Sequence, residues 1–377
     1  MTGCGVPWLT HDRPPSPPRD KTLGSMVAMR RTLAILGVLA VAATVIQAQA
    51  SEDARRRAHH GFEASSTGTT RFVIAAAGDI ACQNAPYGPG SPANCQYDDT
   101  ARLIDGADLA RVLLLGDNQY EVGAFAAYMS YFDPTWGRAK PNLAPAPGNH
   151  EYANDPSSRP RGYFRYFGDA VKGPDGLGYY SFDVGACPGD PCWHLISLNS
   201  ELCFAAGGCG PAADPSDPGP GNRMYAWLAQ DLADHPDSDY PCTLAYWHHP
   251  RFSFSTGSGA TSTVGPLWRL LHAARADVVL NGHSHNYQRW RPMDPNGDLD
   301  RETGIREFVV GTGGASHYAL PSGTRPTNLV AAQADAFGVL KLTLKADRYR
   351  WRWVSAAGQP AFDDASGHAV RCVRATP

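Results

Sequence analysis

Residues 112–120 read VLLLGDNQY, and this stretch decides the fold class. Four aliphatic residues end at Gly116, and polar side chains begin directly after it with Asp117. A short apolar run closed by a turn residue is typical of a buried strand. Layered α/β folds bind their ligands at the carboxyl ends of such strands, so we expect Asp117 to lie at a ligand site.

The same arrangement, an apolar run followed by a polar turn, recurs along the chain. Segments with helical spacing of apolar residues separate the runs, and Asn222 is the expected N-cap of the third predicted helix. Alternating strands and helices indicate a layered α/β domain. The predicted strands are 72–77, 112–115, 193–198, 243–247, 277–280, 307–310, 337–344 and 348–354, and the predicted helices are 99–109, 124–132, 222–234 and 264–274.

Five short motifs place potential metal ligands along this pattern. Taken singly, each motif is weak evidence, because Gly-Asp is a common turn and a lone histidine is more often a core or surface residue. Carboxylate, phenol, amide and imidazole groups in one fixed order are much harder to attribute to turn chemistry. The motifs are Gly78-Asp79, residues 116–120 (GDNQY), residues 148–151 (GNHE), His248-His249-Pro250 and residues 282–285 (GHSH).

The order of these motifs resembles that of the calcineurin-like metallophosphoesterase superfamily, and within it the purple acid phosphatases. The wider superfamily usually has a histidine two residues after the first aspartate, where this chain has Ala81. The phosphatase branch instead has a tyrosine three residues after the second aspartate, as Tyr120 is here. Two positions depart from that branch, namely Ala81 where glycine is usual and Ala245 where valine is common, but neither removes a ligand. We expect the short, secreted bacterial-type form, without a β-sandwich domain before the catalytic domain.

The resemblance implies a dinuclear metal centre. Asp117 would bridge the two ions, because a carboxylate can span two metals and a neutral imidazole cannot. A phenolate with two carboxylates suits a trivalent ion, and an amide with two imidazoles suits a divalent one, so the implied pair is Fe³⁺ with Zn²⁺, Fe²⁺ or Mn²⁺. One ion would take Asp79, Asp117, Tyr120 and His285, and the other would take Asn149, His248 and His283 in addition to the bridge.

His150 is the catalytic residue that the resemblance implies, because it would stabilise the leaving oxygen or donate its proton. The alternative is a structural role in orienting its neighbours. Glu151 is expected to hold the other nitrogen of the His150 imidazole. Of the adjacent pair His248 and His249, the resemblance favours His248 as the ligand, since the family places the ligating histidine two residues before proline. His249 would then line the pocket.

Several residues near the last motif are weaker candidates for contact with the substrate. Arg289 has the bidentate geometry to pair with a phosphate, but an exposed arginine is more often a solvated surface charge, so it is not counted as catalytic. The other candidates are Asn286, Tyr287, residues 312–314 and His317.

The fold and reaction follow from the resemblance. It implies a four-layer α/β/β/α sandwich with the dimetal site at the sheet edges, and a phosphatase that hydrolyses phosphomonoesters by attack of metal-bound hydroxide. A phosphodiesterase or nucleotidase with the same dimetal core is the nearest alternative. A non-catalytic secreted binding protein is a remote alternative, because all seven metal-ligand positions carry a residue type that can bind a metal.

An export signal is predicted in residues 26–50, ahead of the catalytic domain. Two arginines precede an apolar stretch at 33–46, and Ala48-Gln49-Ala50 is a small-residue cleavage site. The stretch is too short for a membrane span, so no anchor is expected after cleavage, while the general and twin-arginine export routes both stay open. The predicted domains are 1–50 (extension and cleaved signal), 51–70 (polar linker) and 71–377 (catalytic domain).

The net charge and the cysteine content indicate which class of partner and which cellular compartment to expect. A net charge of -3 without any run of five like charges argues against specific nucleic-acid binding. The small phosphate ester that the resemblance implies as the partner would therefore be captured locally. Loss of Cys4 with the signal leaves an even number of cysteines, as expected for disulfides in an oxidising compartment. Their spacing is poor for zinc. Sequence proximity favours the pairs Cys82–Cys95, Cys187–Cys192 and Cys203–Cys209, which leaves Cys242 with Cys372.

Overall fold

Thirteen short strands form the frame of the part of the chain that the structure describes. The computed structural model describes residues 70–82, 95–153, 159–188, 191–216 and 218–373, so the predicted export signal and most of the polar linker lie outside the described residues. In chain order the strands are β1 (Phe72–Ala77), β2 (Arg111–Leu115), β3 (Leu143–Ala146), β4 (Tyr180–Gly185), β5 (Cys192–Ser197), β6 (Cys242–Tyr246), β7 (Val278–Asn281), β8 (Tyr287–Met293), β9 (Ile305–Val310), β10 (Leu329–Gln333), β11 (Gly338–Lys345), β12 (Arg348–Ser355) and β13 (Val370–Arg371).

The strands form two mixed sheets. The first has the order β13-β12-β11-β1-β2-β3, and the second has the order β10-β8-β9-β7-β6-β5-β4. Each sheet contains a run of parallel strands, which are β1, β2 and β3 in the first sheet and β5, β6, β7 and β9 in the second. Parallel strands end at the same sheet edge, and this arrangement brings the residues that follow them together.

Alternating side chains show how the second sheet is covered on both faces. Leu244 and Tyr246 of β6 are buried in the large core shared with the first sheet. Ala245 and Trp247 belong to a separate apolar cluster, with Leu228 on the helical side. Since successive side chains of a strand point to opposite faces, the first sheet lies on one side of β6 and helices lie on the other. The predicted sandwich is confirmed.

Six α-helical segments accompany the sheets within the described ranges. The helix predicted at 99–109 is shorter than expected and ends before Gly106, whose φ of +64° is not helical. The predicted N-cap is wrong, because Gly219 occupies that position and Asn222 lies inside the helix, where its Oδ1 accepts from the Gly219 N–H. The helices are α1 (Tyr97–Ala101), α2 (Phe125–Ala127, continued by a π-turn at Tyr128–Phe132), α3 (Asn149–Tyr152), α4 (Arg161–Phe167), α5 (Pro220–Asp234) and α6 (Gly265–Ala273).

Four disulfides connect the cysteines of the described chain, and all four are the predicted pairs. Cys82–Cys95, Cys187–Cys192 and Cys203–Cys209 each close a short loop. Cys242–Cys372 joins the start of β6 to the residue after β13. These bonds leave no thiolates for the zinc alternative. Within the described ranges, none of the helices is both long and apolar enough to cross a membrane.

Candidate metal centre

All five motifs follow parallel strands and meet at one edge of the two sheets. Asp79, Asp117 and Asn149 follow β1, β2 and β3 of the first sheet, and His248 and His283 follow β6 and β7 of the second. The ligand atoms of Asp79, Asp117 and His285 lie within 4.8 Å of one another, and so do those of Asp117, His248 and His283. Asp117 is the residue common to both groups.

Three of these residues have a backbone conformation that L-residues rarely adopt. The φ angles of Asp79, Asp117 and His283 are 59°, 49° and 66°. Each such residue costs on the order of 1–3 kcal/mol and persists only where the surrounding structure enforces it. The strain therefore falls on the turns that aim side chains into the centre.

The motif glycines allow the turns to approach one another closely. A Cβ atom on Gly148 would collide with the Asp117 carboxylate, and one on Gly116 would collide with the imidazole of His248. At these two positions glycine is therefore required by packing between motifs, and at Gly116 it is also required by a φ of +87°.

The first group surrounds the hydroxyl of Tyr120. This oxygen lies 3.0 Å from Asp79 Oδ1, 3.0 Å from Asp117 Oδ2 and 2.9 Å from His285 Nε2. His285 Nε2 in turn lies 3.1 Å from Asp79 Oδ1. Four potential ligands, one of them a phenol, thus converge within hydrogen-bonding distance.

The second group centres on His248 Nε2. This nitrogen lies 3.2 Å from Asp117 Oδ2, 3.1 Å from Asn149 Oδ1 and 3.2 Å from His283 Nδ1. Two imidazoles, an amide oxygen and a carboxylate are therefore directed at one point. This donor set suits a divalent ion of intermediate hardness, such as Zn²⁺ or Fe²⁺.

Backbone carbonyls fix the orientation of two histidines. His248 Nδ1 lies 2.8 Å from Leu115 O, and His285 Nδ1 lies 2.6 Å from Ser316 O. A ring nitrogen that donates to a carbonyl leaves Nε2 unprotonated in the neutral tautomer, which is the form that binds a metal. Both rings therefore present Nε2 to the centre.

The electrostatics of the site favour a bound cation. Asp79 and Asp117 are almost fully buried, and no Lys or Arg of the described chain pairs with either carboxylate. Although burial opposes the charged form, Asp117 raises the pKa of His248 to about 10. Burial and the neighbouring His248 lower the pKa of His283 to about 4. Buried carboxylates need opposite charge nearby, and the donor set therefore fits metal ions.

Tyr120 is held as a neutral phenol by its surroundings. Burial, followed by the charges of Asp117 and Asp79, raises its pKa well above the ordinary value. Its hydroxyl faces both carboxylates, so a cation bound at this point would replace the phenolic proton.

The open side of the site is formed by a subset of its residues. Asn149, His150 and His283 are partly exposed, whereas Asp79, Asp117, Tyr120, His248 and His285 are buried. A ligand from solvent therefore reaches the centre along the edge formed by Asn149, His150 and His283.

His150 lies at this edge, but its imidazole does not contact the Glu151 carboxylate. His150 Nδ1 lies 2.6 Å from the backbone oxygen of Glu121, and its ring packs on Tyr120 at 4.2 Å between centroids. The expected contact between Glu151 and the His150 imidazole is wrong. The helical turn of α3 directs the two neighbouring side chains in different directions, and Glu151 points into the protein.

Glu151 instead joins the second and third motifs. Its two carboxylate oxygens accept hydrogen bonds from four backbone N–H groups and one phenol. The donors are Gly148 N, Asp117 N, Asn118 N, Gln119 N and the hydroxyl of Tyr128. The buried carboxylate therefore fixes the turns that carry Asp117 and Asn149.

The remaining candidates have other partners. Arg289 makes a bidentate pair with Asp364, which also accepts from the Tyr287 hydroxyl. Thr312 donates to Gly338 O, and His317 stacks on Phe337. The buried side chain of Asn286 donates to Tyr318 O. These contacts stabilise the protein, so the expectation that these side chains reach a substrate is not supported.

Tyr318 is a site residue that sequence reasoning missed. Its ring stacks on His285 at 4.0 Å between centroids and 11° between planes. No motif identifies it, because the contact depends on the loop after β9 crossing the last motif. An aromatic residue within a glycine-rich turn was the one available signal.

Comparisons with known proteins identify the family of the chain. The model of the calcineurin-like phosphoesterase family matches residues 72–287. An uncharacterized protein of Mycobacterium tuberculosis is 28% identical in an alignment of 201 positions that covers 49% of this chain and 36% of that protein. Purple acid phosphatase 15 of Arabidopsis thaliana is 30% identical over 138 residues, which make up 36% of this chain and 22% of the plant protein. The chain thus spans between 22% and 36% of the length of these two relatives.

A solved structure shows the same fold. Purple acid phosphatase from yellow lupin (Lupinus luteus) seeds aligns with a TM-score of 0.60 and 19% sequence identity. The alignment covers 78% of this chain and 53% of the lupin chain.

Proposed function

The chain belongs to the calcineurin-like phosphoesterase family, and from that premise we propose that it is a secreted, metal-dependent phosphatase that hydrolyses phosphomonoesters. The observation that carries the proposal is the pair of ligand groups that share Asp117. Two clusters with one carboxylate in common match what two adjacent metal ions require.

The ligand assignment follows from the donor sets. Asp79, Asp117, Tyr120 and His285 would hold Fe³⁺, because two carboxylates and a phenolate are hard anionic donors. Asn149, His248 and His283, with the shared Asp117, would hold Zn²⁺, Fe²⁺ or Mn²⁺. Two such ions supply a nucleophile derived from water and positive charge for the ester oxygens.

His150 is the proposed catalytic residue. Its Nδ1 donates to Glu121 O, so in the imidazolium form the second proton is on Nε2. The ring is partly exposed at the open edge of the site, where a leaving oxygen would be. A proton at Nε2 can therefore pass to that oxygen as the ester bond breaks.

The compartment is proposed from the cysteines. Four disulfides connect residues of the described chain, and such bonds persist in oxidising environments outside the cytoplasm. The export signal predicted at 26–50 would deliver the 71–377 catalytic domain there, with a small phosphate ester as its partner.

Hydrolysis of matched esters tests the function. Purified protein loaded with iron and zinc should hydrolyse p-nitrophenyl phosphate much faster than bis(p-nitrophenyl) phosphate, and a chelator should abolish both activities. Asp117→Asn serves as the matched inactive variant. Preference for the diester would favour the phosphodiesterase alternative. Absence of hydrolysis of either ester by the loaded protein would contradict the proposal.

A further inference from the structure

An exposed aromatic side chain lies on the loop that follows β5. Phe204 is 51% exposed, although most large apolar side chains of the described chain are buried. It ends the helical turn Ser200–Phe204, directly after the carboxyl end of a strand in the second sheet. It is the most exposed of four such side chains in the described chain, the others being Met129, Leu299 and Val330.

The loop that carries Phe204 is firmly anchored. The Cys203–Cys209 disulfide closes it, and both cysteines are buried with Leu202 in the apolar cluster on the helical side of the second sheet. Asn222 of α5 donates to the backbone oxygens of Gly207 and Gly210. The anchors fix the backbone on both sides of Phe204, so its exposure is a feature of an ordered loop.

Aromatic contacts connect Phe204 to the metal centre. The Phe204 ring lies 4.7 Å from the His249 ring, and the His249 ring lies 4.1 Å from the ring of His283, the partly exposed candidate ligand. The three rings, tilted by 56° and 47° to their neighbours, therefore form a continuous wall that begins at the open edge of the site, with His249, which is 8% exposed, in its middle.

His249 is held in place within this wall. Its Nδ1 lies 3.0 Å from Ser200 Oγ and 3.1 Å from Glu201 Oε1, and its backbone N–H donates to Ser200 Oγ. Both partners come from the same turn as Phe204, so this turn fixes His249 and Phe204 together.

We propose that Phe204 and His249 form the subsite for the organic group of the ester, and that this subsite favours monoesters that carry a planar aromatic group. The inference rests on the proposed function, because it assumes that the phosphate binds at the metal centre. Aromatic side chains prefer to pack against other aromatic rings in stacked or edge-to-face geometry. A ring close to the ester oxygen would contact His249, and a base separated from the phosphate by a sugar would reach Phe204.

Matched pairs of esters isolate the effect of the ring. Benzyl phosphate and cyclohexylmethyl phosphate differ in the planarity of the group next to the ester. Adenosine 5′-monophosphate and ribose 5-phosphate differ in the presence of a base. The measured quantity is kcat/KM for each ester, with the wild type and the variants Phe204→Ala and Phe204→Trp. Val330→Ala, which trims another exposed apolar side chain at the opposite edge of the same sheet, is the control.

The wild type should prefer the aromatic member of at least one pair. Phe204→Ala should lower that preference by about threefold to tenfold, the range typical of one aromatic pair, with little change for the aliphatic member. Phe204→Trp should retain the preference, and Val330→Ala should leave it unchanged. The pair that responds identifies whether the ring lies beside the ester oxygen or beyond a sugar.

Two results would overturn the subsite. One is hydrolysis of both members of each pair at equal kcat/KM by the wild type, and the other is an equal loss for both members in Phe204→Ala. Either result leaves the phosphatase function intact. Failure of the metal-loaded wild type to hydrolyse any of the four esters would instead contradict the proposed function.

Discussion

At the scale of single residues, the account depends on the separate tasks of neighbouring side chains. In the GNHE motif, Asn149 faces the second ligand group, His150 lies at the open edge, and Glu151 binds backbone N–H groups inside the protein. The three residues are consecutive in one helical turn, so their side chains point in different directions. Substitutions at adjacent positions should therefore have different consequences.

His150→Ala should retain both metal ions and lose turnover. Because the ring donates to a backbone oxygen and is proposed to protonate the leaving group, kcat should fall by roughly 10²–10⁴-fold, as is typical of general acid catalysis. Metal content and kcat measured on the same preparation test this. A parallel loss of metal and activity would show that His150 has a structural role.

Tyr120→Phe should remove the visible absorption of the iron-loaded enzyme. A phenolate bound to Fe³⁺ transfers charge to the ion in the visible range, and Tyr120 is the phenol placed between Asp79 and Asp117. The absorption spectrum should be compared with that of the wild type at matched iron content. An unchanged band would exclude Tyr120 as the iron ligand. The dimetal site would then lack the phenolate ligand that suits it to Fe³⁺.

At the scale of elements, the strands were easier to predict than the turns. The eight predicted strands are present with ends shifted by two residues or fewer, because apolar runs are a local signal. Five of the observed strands were not predicted, namely β3, β4, β8, β10 and β13. In β3, Pro145 interrupts a short segment of low strand propensity. The contacts of Glu151 and Tyr318 were also missed, because each joins segments that are distant in the sequence.

Glu151→Gln should loosen the turns that carry Asp117 and Asn149. An amide places an NH₂ group against backbone donors, and each buried N–H left without an acceptor costs about 1–3 kcal/mol. We expect a lower melting temperature and about 10–100-fold weaker metal binding. Tyr128→Phe, which removes one donor but keeps the carboxylate, is the control. Wild-type metal affinity in Glu151→Gln would contradict this role.

A second histidine cluster joins α5 to the edge of the second sheet. His194 of β5 is buried, with Nδ1 2.9 Å from Asp183 and Nε2 2.9 Å from Asp231. Its ring stacks on His235 with 14° between the planes, and both ring nitrogens of His194 already contact carboxylates. Since an ion must lie near the plane of each imidazole it binds, this arrangement fits a charged histidine between two carboxylates better than a metal site.

The cluster predicts a pH dependence of stability. Although burial opposes the charged form, hydrogen bonds to Asp183 and Asp231 raise the pKa of His194 above its ordinary value. The stabilisation is therefore complete below the unfolded-state pKa of about 6.5 and is lost as pH rises through the higher folded-state pKa.

His194→Gln tests this dependence. At pH 5 the substitution should lower the free energy of unfolding by about 3–5 kcal/mol, because it leaves a buried carboxylate without its charged partner. The difference from the wild type, measured by urea unfolding, should narrow as pH rises toward 9. A difference that stays constant over this range would show that His194 is not charged in the folded protein.

At the scale of the whole molecule, the candidate centre exists because two sheets pack together. The first sheet supplies both carboxylates and Asn149, and the second supplies the three candidate histidine ligands. The motif order predicted this convergence through the family resemblance, whereas composition and periodicity alone gave only a layered α/β domain. The shared Asp117 is the point at which the two halves of the site meet.

The number of metal ions bound per chain tests this account most directly. Purified wild type, loaded with iron and zinc and freed of excess metal, should contain two ions per chain by elemental analysis. Asp117→Asn should weaken both sites and lose turnover, while circular dichroism shows that the fold is retained. Full activity with one ion or none per chain, or near-normal activity of Asp117→Asn with two bound ions, would contradict the dinuclear centre.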